Sequence, residues 1–577
     1  MVAINEKQKG PLGGPQQVMI QSLTQEPTDF AAAKETDASN QPRRAVVTRN
    51  GFRVHPQPTS DPLDPLNWTF FQKHCIVAVV MLKCAPSAHL LPATKFSIKL
   101  TCPFKRYFLL TYLTTTTVAS FTELQEQYNI SYAQTNWTIA IPALGIALGP
   151  LIFSPIADTI GRRIVFIVGT TILLVSTIGA AKAQTYSTYM AARAFQGLGA
   201  APASTVGLAI INDMFYDHER GQKIGLWVLA IDTGLLVGPI VGGFMNIVSA
   251  EWVQWLMAIF IGVLLVLELC FMPETLYPRN YMLSKSPAAP VLSGAGDATD
   301  LELEAFKSSR HQTDDAGADT PDLPRTEKLP FINLRPIPGI RHPQLWHSTL
   351  RFLLTFKMLT VFIAVFTYCF LWYWWMLSIL TMLPAAYPNY KPQIQGLLFV
   401  GLLLGTLFAE FVLGGQLSDY IYIKLAKRNN HIRLPEMRLW LIYPGAILTA
   451  TGLIVWGISI DKGYHWIVGQ VAFFLFAAGI QIGNTVVCTY IVDCYPLQSM
   501  SMVTFYAVCI NMSAFIEPFF ISPWQVASGW TWCFAAQGLI VLFGALPIFA
   551  LLHRYGGKIR LMSGVPAWVN PEFDAAL

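Results

Sequence analysis

The stretch LAIDTGLLVGPIVGGF (residues 229–244) places one aspartate, Asp232, in the middle of an apolar run. At about 1.5 Å per residue, a helix that starts near residue 224 carries this aspartate about 12 Å into a bilayer, near its middle. A lone carboxylate at that depth is costly unless it faces a polar cavity or a partner. We therefore expect Asp232 to line a cavity, where it can carry a proton or pair with a cation. A hydrogen-bonded structural acid is the alternative.

Glycines follow this aspartate at short intervals, and they are Gly234, Gly238, Gly242 and Gly243. Steps of four residues place them on or near one face of a helix, and a face without side chains lets another helix approach closely. Pro239 has no backbone N–H to donate to the carbonyl of Leu235, so we expect a bend there. The stretch predicts a membrane helix with a hinge and a close helix interface; ordinary small-residue packing is the alternative.

The whole chain has the composition of a polytopic membrane protein. Of its 577 residues, 53% are hydrophobic and 13% are charged, whereas soluble proteins carry about 25% charged residues. A membrane span needs about 20 mostly apolar residues, and eleven segments meet this requirement. Five lie near residues 137–157, 163–183, 187–212, 224–246 and 252–272, and six lie near 352–380, 394–416, 439–459, 465–491, 499–522 and 530–552.

A further span is interrupted. Two short apolar runs, 75–83 and 107–121, flank residues 84–106, which contain three prolines and four basic residues. Joining the two runs gives one segment that is long enough to cross a bilayer. The intervening stretch is either a natural re-entrant or extracellular insertion, or a short intron translated in frame.

With that span restored, the chain has two groups of six spans. We predict an all-α polytopic membrane protein with twelve transmembrane helices in two six-helix halves, numbered here as spans 1 to 12. The predicted segments are a disordered N-terminal tail (1–73), a first half (74–272), a linker (273–351), a second half (352–552) and a C-terminal tail (553–577).

Lysine and arginine are concentrated in the loops of one side, as in 161–163, 218–223 and 423–438. Loops with this bias stay in the cytoplasm, so both termini and the linker are predicted to be cytoplasmic. The sequon at Asn129 falls in a loop on the opposite side, where glycosylation is expected. We expect an integral protein of the plasma membrane; an internal membrane is the alternative.

Charged residues also mark the loop after span 2, and they form a weak echo after span 8. The residues are Asp158, Gly161, Arg162 and Arg163 in the first loop and Asp419 in the second. The arginines can pair with Asp158 or with carbonyl groups at helix ends, and plain anchoring by positive charge is the alternative. Two halves with an internal echo are typical of a secondary transporter built from repeats.

Six motifs occur in order along the chain. They are DPLNW (64–68), ADTIGRR (157–163), RAFQGLGAA (193–201), GLLVGPIVGG (234–243), PETLYPR (273–279) and PEMRL (435–439). Together they resemble the major facilitator superfamily, in particular the fungal twelve-spanner drug:proton antiporter family and its polyamine and cation transporter branch. The resemblance covers roughly residues 62–570. Residues 84–106 have no counterpart in that pattern, and the loop after span 8 lacks the Gly-Arg-Arg run.

This resemblance implies roles for several of the residues. The loop of Asp158 would be an inner gate whose contacts break as the halves rock, and the glycine face of span 5 would be a hinge and seal between the halves. Arg193 would take part in proton coupling. The residue itself suggests two placements, because an arginine inside a span faces a cavity or partner or else extends to the outer interface.

Two further acids lie inside predicted spans: Glu410 in span 8 and Glu517 in span 11. Each can bind a proton or a cation, or can be a hydrogen-bonded structural acid. The aromatic cluster YCFLWYWW (368–375) of span 7 can stack on a flat or cationic substrate, and packing in the core or against lipid is the alternative.

We predict a secondary active transporter that moves a small organic cation or an amphipathic drug by proton-coupled alternating access. Protons would compete with the substrate for Asp232 or Glu410. No cofactor is expected because the proton gradient drives the cycle, and the expected partners are the substrate, protons and membrane lipids, without nucleic acid. We expect a monomer. The alternatives are proton-coupled uptake of polyamine-like cations and a ligand sensor that does not transport; no nucleophile–base pair, metal cluster or phosphate loop favours an enzyme.

The origin of residues 84–106 can be tested at the level of the transcript. We expect spliced messages to lack these codons, because their removal restores one continuous span. Sequencing of the mature transcript measures this. Messages that retain the codons as the dominant species would instead favour a genuine insertion.

Overall fold

The computed structural model describes the helical bundle and a few residues before it. The described residues are 48–49, 52–53, 63–69, 72–73, 76, 115–215, 217–277, 345–429, 434–495 and 499–564. The stretch 84–106, most of span 1, the linker from 278 to 344 and the outer parts of both tails lie outside the described residues. The predictions made for those segments remain predictions, and so does the role of Asp419, whose side chain is also not described.

The first half is a set of long helices joined by short loops. A 3-10 turn, Thr116–Ser120, and a short helix, Phe121–Tyr128, end span 1. Spans 2 to 6 are Tyr132–Thr159, Arg162–Ala181, Tyr186–Ala200 continued by Pro202–Met214, Asp217–Met245, and Ala250–Phe271. Hydroxyl side chains begin several of these helices. Ser131, Thr185 and Ser249 each accept a hydrogen bond from a backbone N–H of the first turn, which satisfies a donor that a helix start leaves open.

The second half contains more irregular helices. A short helix, Leu345–Thr355, precedes it. Span 7 is Leu359–Tyr368 and Trp375–Ala386 joined by a π-helical segment, Cys369–Tyr373. Span 8 is Pro392–Leu397, Val400–Phe408 and a π-helical segment, Ala409–Leu417, and it continues as Ser418–Arg428. Spans 9 to 12 are Pro435–Leu441 with Ile442–Asp461, Trp466–Cys494, and the helix Ser499–Leu539 that leads through the π-helical Ile540–Ala545 into Leu546–Ser563.

These helices account for spans 2 to 12. Within the described residues, nine helices are long and apolar enough to cross a membrane. The last of them, Ser501–Ser563, contains both span 11 and span 12, because Gly529 interrupts it with a φ of 72°. The apolar part of span 5 is the shorter helix Ile231–Met245.

Helical structure extends beyond the predicted limits of the second half. Span 12 continues to Ser563, although the C-terminal tail was predicted to begin at 553. The helix Leu345–Thr355 lies in the segment predicted as linker. Both extensions are amphipathic rather than wholly apolar, so a search for apolar runs ends before them.

The N-terminal tail, predicted to be disordered, has some local structure in the part that is described. Two two-residue strands, Thr48–Arg49 and Phe52–Arg53, pair antiparallel. The motif DPLNW forms a 3-10 turn, Pro65–Asn67, in which Asp64 accepts a hydrogen bond from the backbone of Leu66 at 3.0 Å. Lys73 donates to the carbonyl of Leu66 at 2.8 Å, and its ammonium group lies 5.9 Å from the ring centroid of Phe215 at the end of span 4, which connects the turn to the bundle.

The glycines of span 5 lie where other parts of the backbone approach. A Cβ on Gly242 would collide with the carbonyl oxygen of Thr116, and a Cβ on Gly243 would lie 2.6 Å from that of Pro392. A Cβ on Gly396 of span 8 would lie 2.6 Å from the carbonyl oxygen of Pro239. Span 5 therefore packs closely against span 1 in its own half and against span 8 in the other half. Gly234 and Gly238 are also buried.

Pro239 leaves one carbonyl of span 5 without its helical donor, and span 1 supplies a replacement. The hydroxyl of Thr115 donates to the carbonyl oxygen of Leu235 at 2.8 Å. This is the carbonyl to which residue 239 would donate in a regular helix, and proline has no backbone N–H to donate. The helix nevertheless continues from Asp217 to Met245, because a side chain from a neighbouring helix satisfies the freed group, as is common for proline in membrane helices.

We expect Gly243→Ala to weaken the contact between the two halves. The added methyl group meets a backbone carbonyl, which cannot move aside cheaply, and such overpacking costs about 1–3 kcal/mol. The measurement is the apparent melting temperature of the purified protein in detergent. Gly262→Ala in span 6 is the matched control, because nothing lies within 4 Å of a Cβ there. Equal melting temperatures for the two variants would contradict the close contact between spans 5 and 8.

Candidate functional site

Asp232 is buried between the two halves and binds a side chain of the second half. The residue is 5% exposed. Oδ2 accepts a hydrogen bond from Nδ2 of Asn484 in span 10 at 2.7 Å. Asn484 is itself held by span 11, because the hydroxyl of Tyr506 donates to its Oδ1 at 2.5 Å. The hydrogen-bond partner of this aspartate therefore belongs to the other half, and the expectation that Asp232 lines a cavity stays a prediction.

Glu410 of span 8 meets the same helix. It is 8% exposed, and its Oε2 accepts hydrogen bonds from Nε2 of Gln481 at 2.9 Å and from the hydroxyl of Thr485 at 2.8 Å. Gln481, Asn484 and Thr485 stand three and four residues apart, which places them on one face of span 10. This polar face of span 10 brings the two acids together. The side chains that hold the two acids are all uncharged. They are Gln481, Asn484, Thr485 and Tyr506, and none of them balances the negative charge of an ionised acid.

Aromatic residues of spans 7 and 11 surround this polar face. Tyr368 donates to the carbonyl of Ile480 at 2.9 Å, and its ring lies 5.9 Å from that of Tyr373 and 6.3 Å from that of Tyr506. Trp372 donates from its indole to the hydroxyl of Thr449 at 3.0 Å. The cluster 368–375 is therefore divided: part of it lies beside the polar face, and Trp375, which is 1% exposed, packs against Trp374 and Trp524.

Two π-helical segments pass through this region. One, Cys369–Tyr373, carries the aromatic residues, and the other, Ala409–Leu417, begins one residue before Glu410. Such segments are rare and are often found at functional sites, because they widen the helix and redirect side chains. Both therefore help to aim side chains of the second half at the polar face of span 10.

Arg193 is fully buried in the first half and does not extend to the membrane surface. Its Nε and one terminal nitrogen donate to the carbonyl oxygen of Thr138 at 3.0 and 2.9 Å, and the other terminal nitrogen donates to Gln196 at 3.0 Å. Gln196 in turn donates to Thr177 at 3.1 Å and to Gln254 at 3.2 Å. This network joins spans 2, 3, 4 and 6. A role in proton coupling stays a prediction.

Glu517 lies apart from the polar face of span 10. It is 0% exposed, and the hydroxyl of Ser378 in span 7 donates to its Oε1 at 2.7 Å. Phe519, two positions further along span 11, contacts the ring of Trp137 in span 2 with ring centroids 5.7 Å apart. The acid is therefore near the predicted extracellular end of the bundle.

The loop after span 2 is held by two acids from elsewhere in the first half. Arg162 forms an ion pair with Asp213 at the end of span 4, with Nε and Oδ2 2.7 Å apart, and a longer one with Asp158 at 3.8 Å. Glu274 accepts hydrogen bonds from the backbone N–H groups of Arg162 at 2.9 Å and Arg163 at 3.1 Å. It thereby caps the start of span 3.

Gly161 makes this cap possible. Its φ is 140°, a backbone conformation that side chains rarely adopt, and a Cβ there would collide with the carboxylate of Glu274. The glycine of the ADTIGRR motif and the glutamate of the PETLYPR motif are thus two parts of one contact. The sequence alone indicates a family resemblance at PETLYPR, and this contact becomes visible only in the folded chain.

The second half has a corresponding arrangement with different residues. Arg438, at the start of span 9, pairs with Asp493, at the end of span 10, at 2.5 Å. Glu436 pairs with Arg560, in the last turn of span 12, at 3.0 Å. These positions match those of Arg162, Asp213 and Glu274 in the first half. The Gly-Arg-Arg run is absent after span 8, but an arginine at the start of the next span supplies the equivalent ion pair.

Sequence reasoning missed the partners of the acids more than the acids themselves. Gln481, Asn484 and Thr485 stand at helical spacing inside an apolar run, and that pattern was available as a signal. Tyr506 gave no comparable signal, because a single tyrosine in a membrane helix has many ordinary roles.

Two half-bundles that contact each other around buried acids define a membrane transport protein. The family model of the Major Facilitator Superfamily matches residues 107–516, and the chain belongs to that family. The resemblance to fungal transporters of this superfamily, the all-α major facilitator fold and the transport class are therefore confirmed.

Curated relatives with similar sequences are fungal. The probable efflux pump mfs2 of Aspergillus flavus is 27% identical over 445 residues, which cover 76% of this chain and 97% of that protein. Protein HOL1 of Saccharomyces cerevisiae is 26% identical over 570 residues, which cover 89% of this chain and 91% of that protein. The efflux pump FUB11 of Gibberella fujikuroi is 26% identical and covers 75% of this chain and 70% of its own length.

Solved structures with the same fold include a D-xylose–proton symporter, with a TM-score of 0.53 and 14% identity over 83% of this chain and 97% of that chain. The xylose transporter XylE from E. coli, in a partially occluded inward-open conformation, has a TM-score of 0.52 and 12% identity, and it covers 84% of this chain and 97% of its own. At these identities the likeness concerns the fold alone.

We expect Glu274→Ala to destabilise the first half. The backbone N–H groups of Arg162, Arg163, Thr275 and Leu276 all donate to this carboxylate, and losing such an acceptor costs about 1–3 kcal/mol. The apparent melting temperature in detergent should fall. Asp461→Ala is the control, because this exposed acid accepts a single backbone hydrogen bond, from Thr531 at 2.8 Å. A fall no larger than that of the control would show that the cap is unimportant.

Proposed function

We propose that this chain is a proton-coupled secondary transporter that moves a small organic cation or an amphipathic drug. The observation that carries the proposal is the hydrogen bond between Asp232 of the first half and Asn484 of the second, beside Glu410 on the same polar face. Two acids with neutral donors form a site that attracts positive charge. A proton and a cationic substrate satisfy this requirement equally well, so they compete for it.

The bond between Asp232 and Asn484 joins substrate binding to the movement of the halves. Rocking the two halves apart on either side changes the distance between span 5 and span 10. A cation that pairs with Asp232 replaces the amide of Asn484, whereas a protonated carboxyl group can keep it as a neutral hydrogen bond. The two ligands therefore favour different arrangements of the halves, and such differential binding is what shifts a conformational equilibrium.

The aromatic residues beside the acids suit a flat or cationic organic substrate. The ring of Tyr368 lies 5.9 Å from that of Tyr373 and 6.3 Å from that of Tyr506, and these rings offer π faces to a cation. Trp372 adds apolar surface. A binding site of this kind combines a few charged groups with a mostly apolar lining, which is how proteins bind small amphipathic molecules.

Export is the direction that we propose. Two of the fungal relatives described above carry the name efflux pump, and a proton entering from an acidic exterior can drive the exit of a cation. Uptake of polyamine-like cations uses the same site in the opposite sense. The proton gradient supplies the energy in this proposal, so it includes no cofactor, no enzymatic activity and no nucleic-acid partner.

The plasma membrane, cytoplasmic termini and a monomeric state complete the proposal. The asparagine of the predicted glycosylation site, Asn129, is exposed and ends the helix Phe121–Tyr128 with a φ of 51°. Its exposure supports modification there.

We expect Asp232→Asn to abolish accumulation of substrate driven by an imposed pH gradient. Asparagine keeps the size of the side chain but cannot release a proton or hold a cation, and losing a charged contact of about 1.5–3 kcal/mol corresponds to roughly 10- to 100-fold in affinity. The measurement is the flux of a labelled organic cation into vesicles with and without the gradient. Asp232→Glu should keep part of the activity with a shifted pH optimum.

Glu126→Gln is the matched control, because it removes an exposed acid outside the site and should leave the flux unchanged. If the Asp232→Asn variant still accumulates substrate with the same pH dependence, this aspartate does not couple transport to protons. Glu410 would then be the candidate for proton coupling. Ligand-induced stabilisation without any flux in the parent chain would instead favour a sensor.

A further inference from the structure

Glu517 is a fully buried acid with an unused oxygen. The hydroxyl of Ser378 donates to Oε1 at 2.7 Å, while Oε2 has no hydrogen-bond partner among the described residues. Within the described residues, the titratable group that interacts electrostatically with it is the thiol of Cys533 in span 12. The amide of Gln537, also fully buried, donates to this sulfur at 3.6 Å, and its own Oε1 has no partner in the described part of the chain.

Burying an ionised carboxylate costs much free energy when one of its oxygens accepts no hydrogen bond. Burying the neutral carboxylic acid costs much less. Span 7 offers a hydroxyl, span 12 offers a thiol and an amide, and neither element places a positive charge against the carboxyl group in these contacts. The surroundings therefore suit Glu517 when it holds a proton. They do not suit the ionised group until water reaches it.

The contacts that join the halves at the predicted extracellular end lie at the level of this acid. The hydroxyl of Tyr132 donates to the carbonyl of Thr381 at 2.5 Å, and the ring of Trp137 packs against Phe519 with centroids 5.7 Å apart. We call these four residues the outer seal. Thr381 is one turn from Ser378 on span 7, and Phe519 is two residues from Glu517 on span 11.

Span 11 also connects Glu517 to the site of Asp232. Tyr506, which donates to Asn484 at 2.5 Å, is on the same helix. Tyr506 and Glu517 are eleven positions apart, about three helical turns, so the two side chains lie on one face of span 11. A movement of this helix at its outer end is thus transmitted to the donor of the Asp232 network.

We propose that Glu517 is a second proton-binding site, which keeps the outer seal closed while it is protonated. When the seal opens, external water takes the proton from Oε2 and hydrates the carboxylate that remains, and this ionised form holds the seal open. No other bond forms or breaks. The proposal needs no assumption about the substrate, and it places the binding of a proton at the gate rather than only at the central acids.

The sign of the pH dependence follows from this link. At low pH the acid is protonated and the seal is closed; as the pH rises, ionisation favours the open form. For a conformational change linked to one proton, the ratio of open to closed forms rises by at most about tenfold per pH unit.

A buried reporter thiol measures the opening of the seal without transport. Thr381→Cys is suitable because this side chain is 0% exposed and its backbone carbonyl, which accepts from Tyr132, is retained. The chain keeps Cys533 and has its other native cysteines replaced. In nanodiscs, the rate of labelling by a polar maleimide is measured across about pH 5 to 9 and divided by the rate for the denatured chain at the same pH, with the chain lacking the reporter as the blank.

We expect the normalised labelling rate of the parent to rise with pH and that of Glu517→Gln to stay low and flat. Glu268→Gln is the matched control, because it removes another fully buried acid that accepts from one threonine hydroxyl, Thr170 at 2.6 Å, near the opposite end of the bundle. It should keep the pH dependence of the parent.

A labelling rate that does not depend on pH in the parent, or one that rises equally in Glu517→Gln, would overturn the proposal. If Glu517→Gln does not fold, Ser378→Ala provides the test. It removes the hydroxyl that stabilises the ionised acid, so the rise should move to higher pH, and an unchanged profile would count against Glu517. If the labelling rate rises with pH in a chain that transports no cation, the proposal for Glu517 holds and the function proposed above fails.

Discussion

The hydrogen bond between Asp232 and Asn484 is the contact on which the rest of the site depends. Inside a bilayer there is no water to solvate a carboxyl group, so the group must find its donors within the protein. For Asp232 the donor lies in the other half of the molecule. Asp232 therefore has this hydrogen-bond donor only while the halves are in contact. Any movement that separates span 5 from span 10 removes the donor from its carboxyl group.

At the predicted cytoplasmic ends, ion pairs hold each half together internally. Arg162 pairs with Asp213 in the first half and Arg438 pairs with Asp493 in the second. Glu274 caps span 3, whereas Glu436 pairs with Arg560 in the last turn of span 12. The two halves thus use different residues at matching places to tie helices into units. At the surface between the halves, the contacts described are close backbone approaches at glycines and hydrogen bonds from neutral donors.

That surface is built for small displacements. Gly243 and Gly396 bring the backbones of spans 5 and 8 together without side chains between them, so the helices can change their contact without repacking large groups. Spans 7 and 8 contain π-helical segments beside the aromatic residues and Glu410. A regular α-helix would aim these side chains elsewhere, and the local widening therefore serves the site rather than the bundle.

The sequence by itself determined the class of fold, because apolar length and charge placement are local properties that a bilayer constrains strongly. It also singled out Asp232, Glu410 and Glu517, since a carboxyl group in an apolar run is conspicuous without any structure. Only the tertiary structure decided which helices meet these acids. Asn484 and Tyr506 lie 252 and 274 positions beyond Asp232 in the chain, and a polar residue becomes a partner through packing across the halves, which spacing along one helix does not contain.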